Sequence, residues 1–156
     1  MGGFYHVCFA VPDIGAAMDE LAAAVGVEWS PPRADRIGEW DFRIAFTRGD
    51  PPFIELIEGP EGSPWACGGA GRFDHLGFWT SDLEAGTARL SRAGVAADFD
   101  GCPFGRRFAY HRAEAIGGRI ELVDAARLAD FRAAWAPGAG AMPVIDPPRG
   151  PGARWG

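Results

Sequence analysis

Apolar and polar residues alternate along residues 4–11, and a period of two predicts a strand. Tyr5, Val7, Phe9 and Val11 fall on one face, expected to pack on a helix, and Phe4, His6, Cys8 and Ala10 fall on the other. After Pro12 the period lengthens. Asp13 is placed to cap a helix that runs through Met18 and Leu21 and stops at Gly26. Short strands are expected at 27–30, 41–47 and 52–58, separated by Pro, Gly and Asp turn signals. The predicted unit is βαβββ.

A Gly/Pro-rich linker over 59–71 is followed by the same order of elements. A strand is expected over 73–80, then a helix from Ser81 or Asp82 to Ala93 with a break at Gly94. Ser81 with Glu84 would make a capping box, whereas alignment with Asp13 selects Asp82; the sequence leaves both open. Strands at 97–99, 107–112 and 119–124 complete the copy. The offsets are nearly constant: 75 − 6 = 69 for the histidines, 83 − 14 = 69 for Ile14 and Leu83, and 121 − 55 = 66 for two glutamates. The fold class is therefore α+β, two tandem βαβββ modules (4–59 and 72–124) within one domain over 1–124. Residues 125–135 read as an extra helix with Leu128, Phe131 and Trp135 on one stripe. Residues 136–156 read as an extended Pro/Gly-rich tail from which Val144, Ile145 and Trp155 could dock on the body.

Composition narrows the function. A chain of 156 residues that is 47% hydrophobic can bury a core. With 21 acidic against 15 basic residues, a net charge of −6 argues against nucleic-acid binding. Nothing reads as a membrane span or a signal peptide, so a cytoplasmic location is expected. Every basic residue is Arg; without Lys there is no Schiff-base or P-loop chemistry. Cys8, Cys67 and Cys102 lack metal-type spacing and read as buried or free thiols.

Two carboxylates stand out within apolar strands. Alternation places Glu55 between Phe53 and Ile57 on one face, and Glu121 repeats the problem inside the strand Arg119-Ile120-Glu121-Leu122-Val123. A buried carboxylate must take up a proton or meet a cation. His6 opens the first strand and His75 the corresponding strand of the second copy, where Phe73, Gly77 and Trp79 are expected to share its face. His6, Glu55, His75 and Glu121 converging on one concave face suit a single divalent ion among Zn, Ni, Co, Mn and Fe(II).

The segments His6-Val7-Cys8-Phe9-Ala10-Val11-Pro12-Asp13, Ile54-Glu55-Leu56, His75-Leu76-Gly77-Phe78 and Ile120-Glu121-Leu122 together resemble the vicinal oxygen chelate superfamily. That group includes glyoxalase I, methylmalonyl-CoA epimerase, extradiol dioxygenases and bleomycin- or fosfomycin-resistance proteins. The resemblance spans residues 4–124 and implies a curved, partly open mixed sheet with the metal on its concave side. It places the four residues at the family's ligand positions, and the intact set favours the glyoxalase and epimerase branch. Phe108-Ala109-Tyr110-His111 also looks epimerase-like.

The resemblance implies a metal-dependent isomerase, epimerase or lyase that stabilises an enolate of a small carbonyl or acyl-CoA substrate. Glu121 or Glu55 would be ligand and base together, with Glu39 as a separate base and His111 as a donor or proton shuttle. Arg106 and Arg107 would hold a carboxylate or CoA phosphate, and Trp65 and Trp79 would wall the cavity. The alternatives are a non-catalytic, drug-sequestering protein and an Fe(II) extradiol-type dioxygenase. The family habit implies a homodimer.

Overall fold

Asp13 accepts a 2.9 Å hydrogen bond from the Ala16 amide and starts α1 (Ile14–Val25); Asp82 accepts one of 2.9 Å from Ala85 and starts α2 (Leu83–Arg92). Each cap satisfies an amide that the helix leaves unpaired, an effect of about 1 kcal/mol. This settles the choice at the second helix. Gly26, at φ 73°, closes α1 in the left-handed conformation that a residue with a Cβ avoids.

The computed structural model describes residues 3–146. The first unit comprises β1 (His6–Ala10), α1, β2 (Arg33–Ile37), β3 (Trp40–Phe46) and β4 (Phe53–Glu58). The second comprises β5 (Arg72–Thr80), α2, β6 (Ala97–Asp100), β7 (Phe108–Ala113) and β8 (Gly118–Asp124). All eight strands join one sheet, ordered β2-β3-β4-β1-β5-β8-β7-β6, that curls into a half-barrel. The two units meet at its centre, where β1 and β5 pair antiparallel, while β1 with β4 and β5 with β8 are parallel.

Ile14 packs with Val11, Ala45 and Leu56, and Leu83 packs with Ala109 and Leu122, so the two long helices cover the outer face. The inner face is aromatic. A 3-10 turn at Ala125–Arg127 leads into α3 (Leu128–Trp135), whose Phe131 and Trp135 pack against the cluster of Tyr5, Phe46, Phe53 and Trp79. No helix among the described residues is long and apolar enough to cross a membrane.

The strand expected at 27–30 does not form; the segment contributes a single bridge, Trp29 to Thr47. Pro31 and Pro32 follow and lack the N–H groups a ladder needs. The strand that does form is Arg33–Ile37, a charged edge with little apolar alternation to reveal it. The chain after α3 docks in part as expected. Val144 bridges Trp79, and Ile145 donates to the Trp79 carbonyl at 3.0 Å. Asp146 accepts from Thr80 Oγ1 at 2.6 Å and from the Ser81 amide at 2.7 Å. The expected docking of Trp155 lies outside the described residues.

Candidate metal centre

Register brings the four residues together. His6 stands opposite Phe53 and His75 opposite Arg119, and in both units the glutamate lies two residues further along the parallel partner. The two His-to-Glu separations differ in sequence, yet the register is the same, so the difference is absorbed by the intervening connections.

All four side chains come from one chain, and all four residues are buried. His6 Nε2 lies 2.9 Å from His75 Nε2, 2.7 Å from Glu55 Oε2 and 3.1 Å from Glu121 Oε2. His75 Nε2 lies 3.5 Å from Glu55 Oε2 and 3.3 Å from Glu121 Oε2. Donor atoms about 2.0–2.2 Å from a shared ion would sit about 3–3.5 Å from one another, close to this spacing. Among the described residues Glu121 Oε2 is buried without a hydrogen bond of good geometry, and Nε2 of His6 faces Nε2 of His75 across the same space. Such a donor set fits a divalent ion ligated by two nitrogens and two oxygens.

Charge is balanced within the cluster. Burial disfavours the ionised carboxylates, but His75 and His6 hold Glu121 down at about 2 and also hold Glu55 below the usual carboxylate range. Burial likewise opposes charge on His6, and Glu55 and Glu121 outweigh it, so its pKa is raised. Gly77 makes room for the imidazole: a Cβ there would lie 2.0 Å from His6 Cε1.

The face assignments change at two places. Phe73 leaves the side of His75, because β5 carries a bulge at which Cys8 pairs with His75 but Phe9 pairs with Phe73. Phe73 meets Phe9 instead, and the extra residue, Asp74, is fully buried beside His75. Tyr5, expected on the helix side, lines the inner cavity, where its ring stacks on Trp79 at 4.3 Å between centroids. It lies just before the regular alternation of β1 begins.

A cavity of about 410 Å³ opens above His6, Glu55 and Glu121, within the usual range for small-molecule sites. Trp65 and Trp79 line it, as do Arg106 and Arg107. Both arginines are engaged by acids: Arg106 with Asp35 at 2.6 Å, and Arg107 with Glu84 at 2.9 Å and Asp124 at 3.1 Å. Glu39 occupies the exposed turn between β2 and β3, away from the cavity wall. His111 is buried beside the Val95 carbonyl, 3.0 Å from Nδ1, and also outside the cavity wall.

Sequence reasoning missed the residues that brace the site. Asp74 receives two hydrogen bonds of 2.7 Å from Arg119 and one of 2.7 Å from Arg72. His75 and then Arg119 hold its carboxyl well below the usual range against the effect of burial. Arg119 also lies 4.0 Å over the ring of Tyr110, whose hydroxyl accepts from Trp65 Nε1 at 2.9 Å. A signal existed: alternation in Arg119-Ile120-Glu121 puts the arginine on the face of the glutamate. A Cys8, Asp74 and His75 cluster also has ligand-like spacing, but it shares His75 with the main set.

Comparison with functionally curated proteins gives no match. Among solved structures, a methylmalonyl-CoA epimerase in complex with methylmalonyl-CoA superposes with a TM-score of 0.60 at 23% identity, covering 80% of this chain and 94% of that one. The Mycobacterium tuberculosis methylmalonyl-CoA epimerase gives 0.56 at 25% identity, with 78% and 87% covered. A variant of 4-hydroxymandelate synthase from Streptomyces coelicolor gives 0.58 at 15% identity, with 79% and 48% covered. The profile of one family matches residues 5–110. The chain belongs to that family, the glyoxalase/bleomycin resistance protein/dioxygenase superfamily, whose fold is the vicinal oxygen chelate fold.

Proposed function

We propose that this chain is a metal-dependent isomerase, epimerase or lyase that moves a proton next to a carbonyl. The observation that carries the reading is the convergence of His6, Glu55, His75 and Glu121 at ligand spacing beneath an aromatic cavity. A divalent ion held by these residues would supply Lewis-acid polarisation of substrate oxygens. Glu121 is the better base of the two, since its side chain is 11% exposed against 6% for Glu55. Tyr110 takes the Trp65 N–H on its oxygen, which leaves its own proton to donate to a substrate oxygen. The aromatic wall excludes water from the carbanion. Glu39, outside the wall, has no part in this reading, so a single base at Glu121 supports isomerase or lyase chemistry better than a two-base epimerisation.

The test is proton exchange. Purified without chelator, the protein is expected to carry close to one equivalent of a first-row metal and, under nitrogen, to exchange the α-proton of α-hydroxyketones, hemithioacetals or methylmalonyl-CoA with deuterated solvent. Failure to take up any transition metal on titration sinks the proposal. The aromatic wall also supports a second reading, a non-catalytic binding protein. That reading expects ligand binding to survive EDTA and the double change His6→Ala with Glu121→Ala.

A further inference from the structure

Four arginines, Arg33, Arg106, Arg107 and Arg127, stand in the cavity wall with two aspartates, Asp35 and Asp130, in a chain of net charge −6. Arg106 and Arg107 are neutralised as described, and Arg127 reaches Asp130 at 3.8 Å. Arg33 makes no ion pair among the described residues. Its guanidinium lies 4.4 Å from the centre of the Trp135 ring, and one terminal nitrogen donates to the Ala134 carbonyl at 2.7 Å. A guanidinium carries five N–H donors in a rigid fork, so most of this one stays free. The contact with the last turn of α3 accounts for its anchoring but not for its place in the wall of a cavity.

We infer that Arg33 anchors an anionic group at the far end of the substrate from the metal. Resting on the function proposed above, this names a substrate class: a compact molecule with two adjacent oxygens at one end, a flat apolar body against the aromatic wall, and one carboxylate or phosphate at the other. One wall arginine without an ion pair among the described residues matches one such group, and a cavity of about 410 Å³ matches a molecule of that size. Trp135 and Ala134 act as positioning groups, so α3 takes part in selecting the ligand.

The probes are 3-(3,4-dihydroxyphenyl)propionate and its amide, which share chelating oxygens and ring but differ in charge. Calorimetric titration of zinc-loaded protein is expected to give the carboxylate about 10-fold higher affinity. Arg33→Gln should abolish that preference by weakening only the carboxylate, and Arg33→Lys should retain part of it. Equal affinities in the parent protein, an equal loss of both probes in Arg33→Gln, or no carboxylate binding below about 1 mM overturns the inference. The equal loss is what a residue serving only to hold α3 would produce. Zinc-free protein separates the two readings: probe affinity unchanged by zinc defeats the metal proposal, while charge selectivity at Arg33 is read independently.

Discussion

Asp74 accepts a 2.6 Å hydrogen bond from Nδ1 of His75, and neither side chain is exposed to solvent. The contact keeps a proton on Nδ1 and leaves Nε2 facing His6, Glu55 and Glu121, free to act as a ligand once it gives up its own proton. Arg119 and Arg72 in turn fix the carboxylate. The order of cation, carboxylate, imidazole and ligand position reads as a brace on one side of the site.

Changing Asp74→Asn should weaken zinc or nickel affinity about 10–100-fold, the effect typical of removing a ligand's hydrogen-bond partner. It also costs Arg119 its buried charge partner, leaving only the half-exposed Asp98 at 3.3 Å, and breaking a buried pair costs about 3–5 kcal/mol. Metal titration together with thermal unfolding of the metal-free protein separates the two effects. Unchanged affinity in a folded variant would remove Asp74 from the site.

Gly77→Ala should evict the His6 ring, since the added carbon would lie 2.0 Å from Cε1. Overpacking of this kind costs about 1–3 kcal/mol, but the larger effect is expected on metal stoichiometry. Elemental analysis of the purified variant should show well under one equivalent, with the fold retained by circular dichroism.

Glu121→Gln should lower α-proton exchange by about 10²–10⁴-fold, the usual weight of a general base, and should weaken metal binding as well. Glu39→Gln should leave both unchanged, because that side chain lies on the exposed β2–β3 turn. Exchange rates measured by NMR on both variants check the pair; a large loss in Glu39→Gln would show that the turn closes over the cavity during turnover.

Acidity should act on the metal-free protein from both sides. Glu121 is held at about 2 against its ordinary 4.5, so its contribution is fully present above about pH 4.5 and is lost as pH falls toward 2. For His75, burial opposes the charge but Cys8, Tyr110, Glu121 and Asp74 outweigh it, raising its pKa well above 6.5. Its contribution is therefore fully present below pH 6.5 and is lost as pH rises through the raised folded value. Thermal unfolding across pH should show both declines. Bound metal displaces the imidazole protons, so the loaded protein should lose the alkaline decline, and calorimetry in buffers of different ionisation enthalpy should detect protons released on binding.

The sequence made the fold legible wherever a cap residue or a strict alternation stood out. Asp13, Gly26 and Asp82 marked helix ends, and the runs of β1, β4 and β8 marked strands whose two faces carry different side chains, one toward the helices and one toward the interior. β2 was illegible for the opposite reason: Arg33-Ala34-Asp35-Arg36-Ile37 is an exposed edge with little apolar period. The four candidate ligands were legible because a charge inside an apolar strand needs a cause. Asp74 was not, because alternation assigns faces only while pairing stays regular, and the bulge at this residue turns two successive side chains, Asp74 and His75, into the interior. Arg106 and Arg107 could be placed near the cavity, but the acids that neutralise them come from β2, α2 and β8 and have no local signature.

Subtracting the repeat offset of 69 carries His75 onto His6 and Asp74 onto Tyr5. His75 is gripped at Nδ1, whereas Nδ1 of His6 has no partner among the described residues and its ring is kept in place by the hollow at Gly77. The two halves of this site thus hold their histidines differently. One grips its imidazole as a fixed pin, the other seats its imidazole more loosely beside a tyrosine that faces the cavity. An exchange of ligands at the centre would accordingly begin on the His6 side, so mutations that tune turnover should accumulate in the first half and those that tune metal retention in the second.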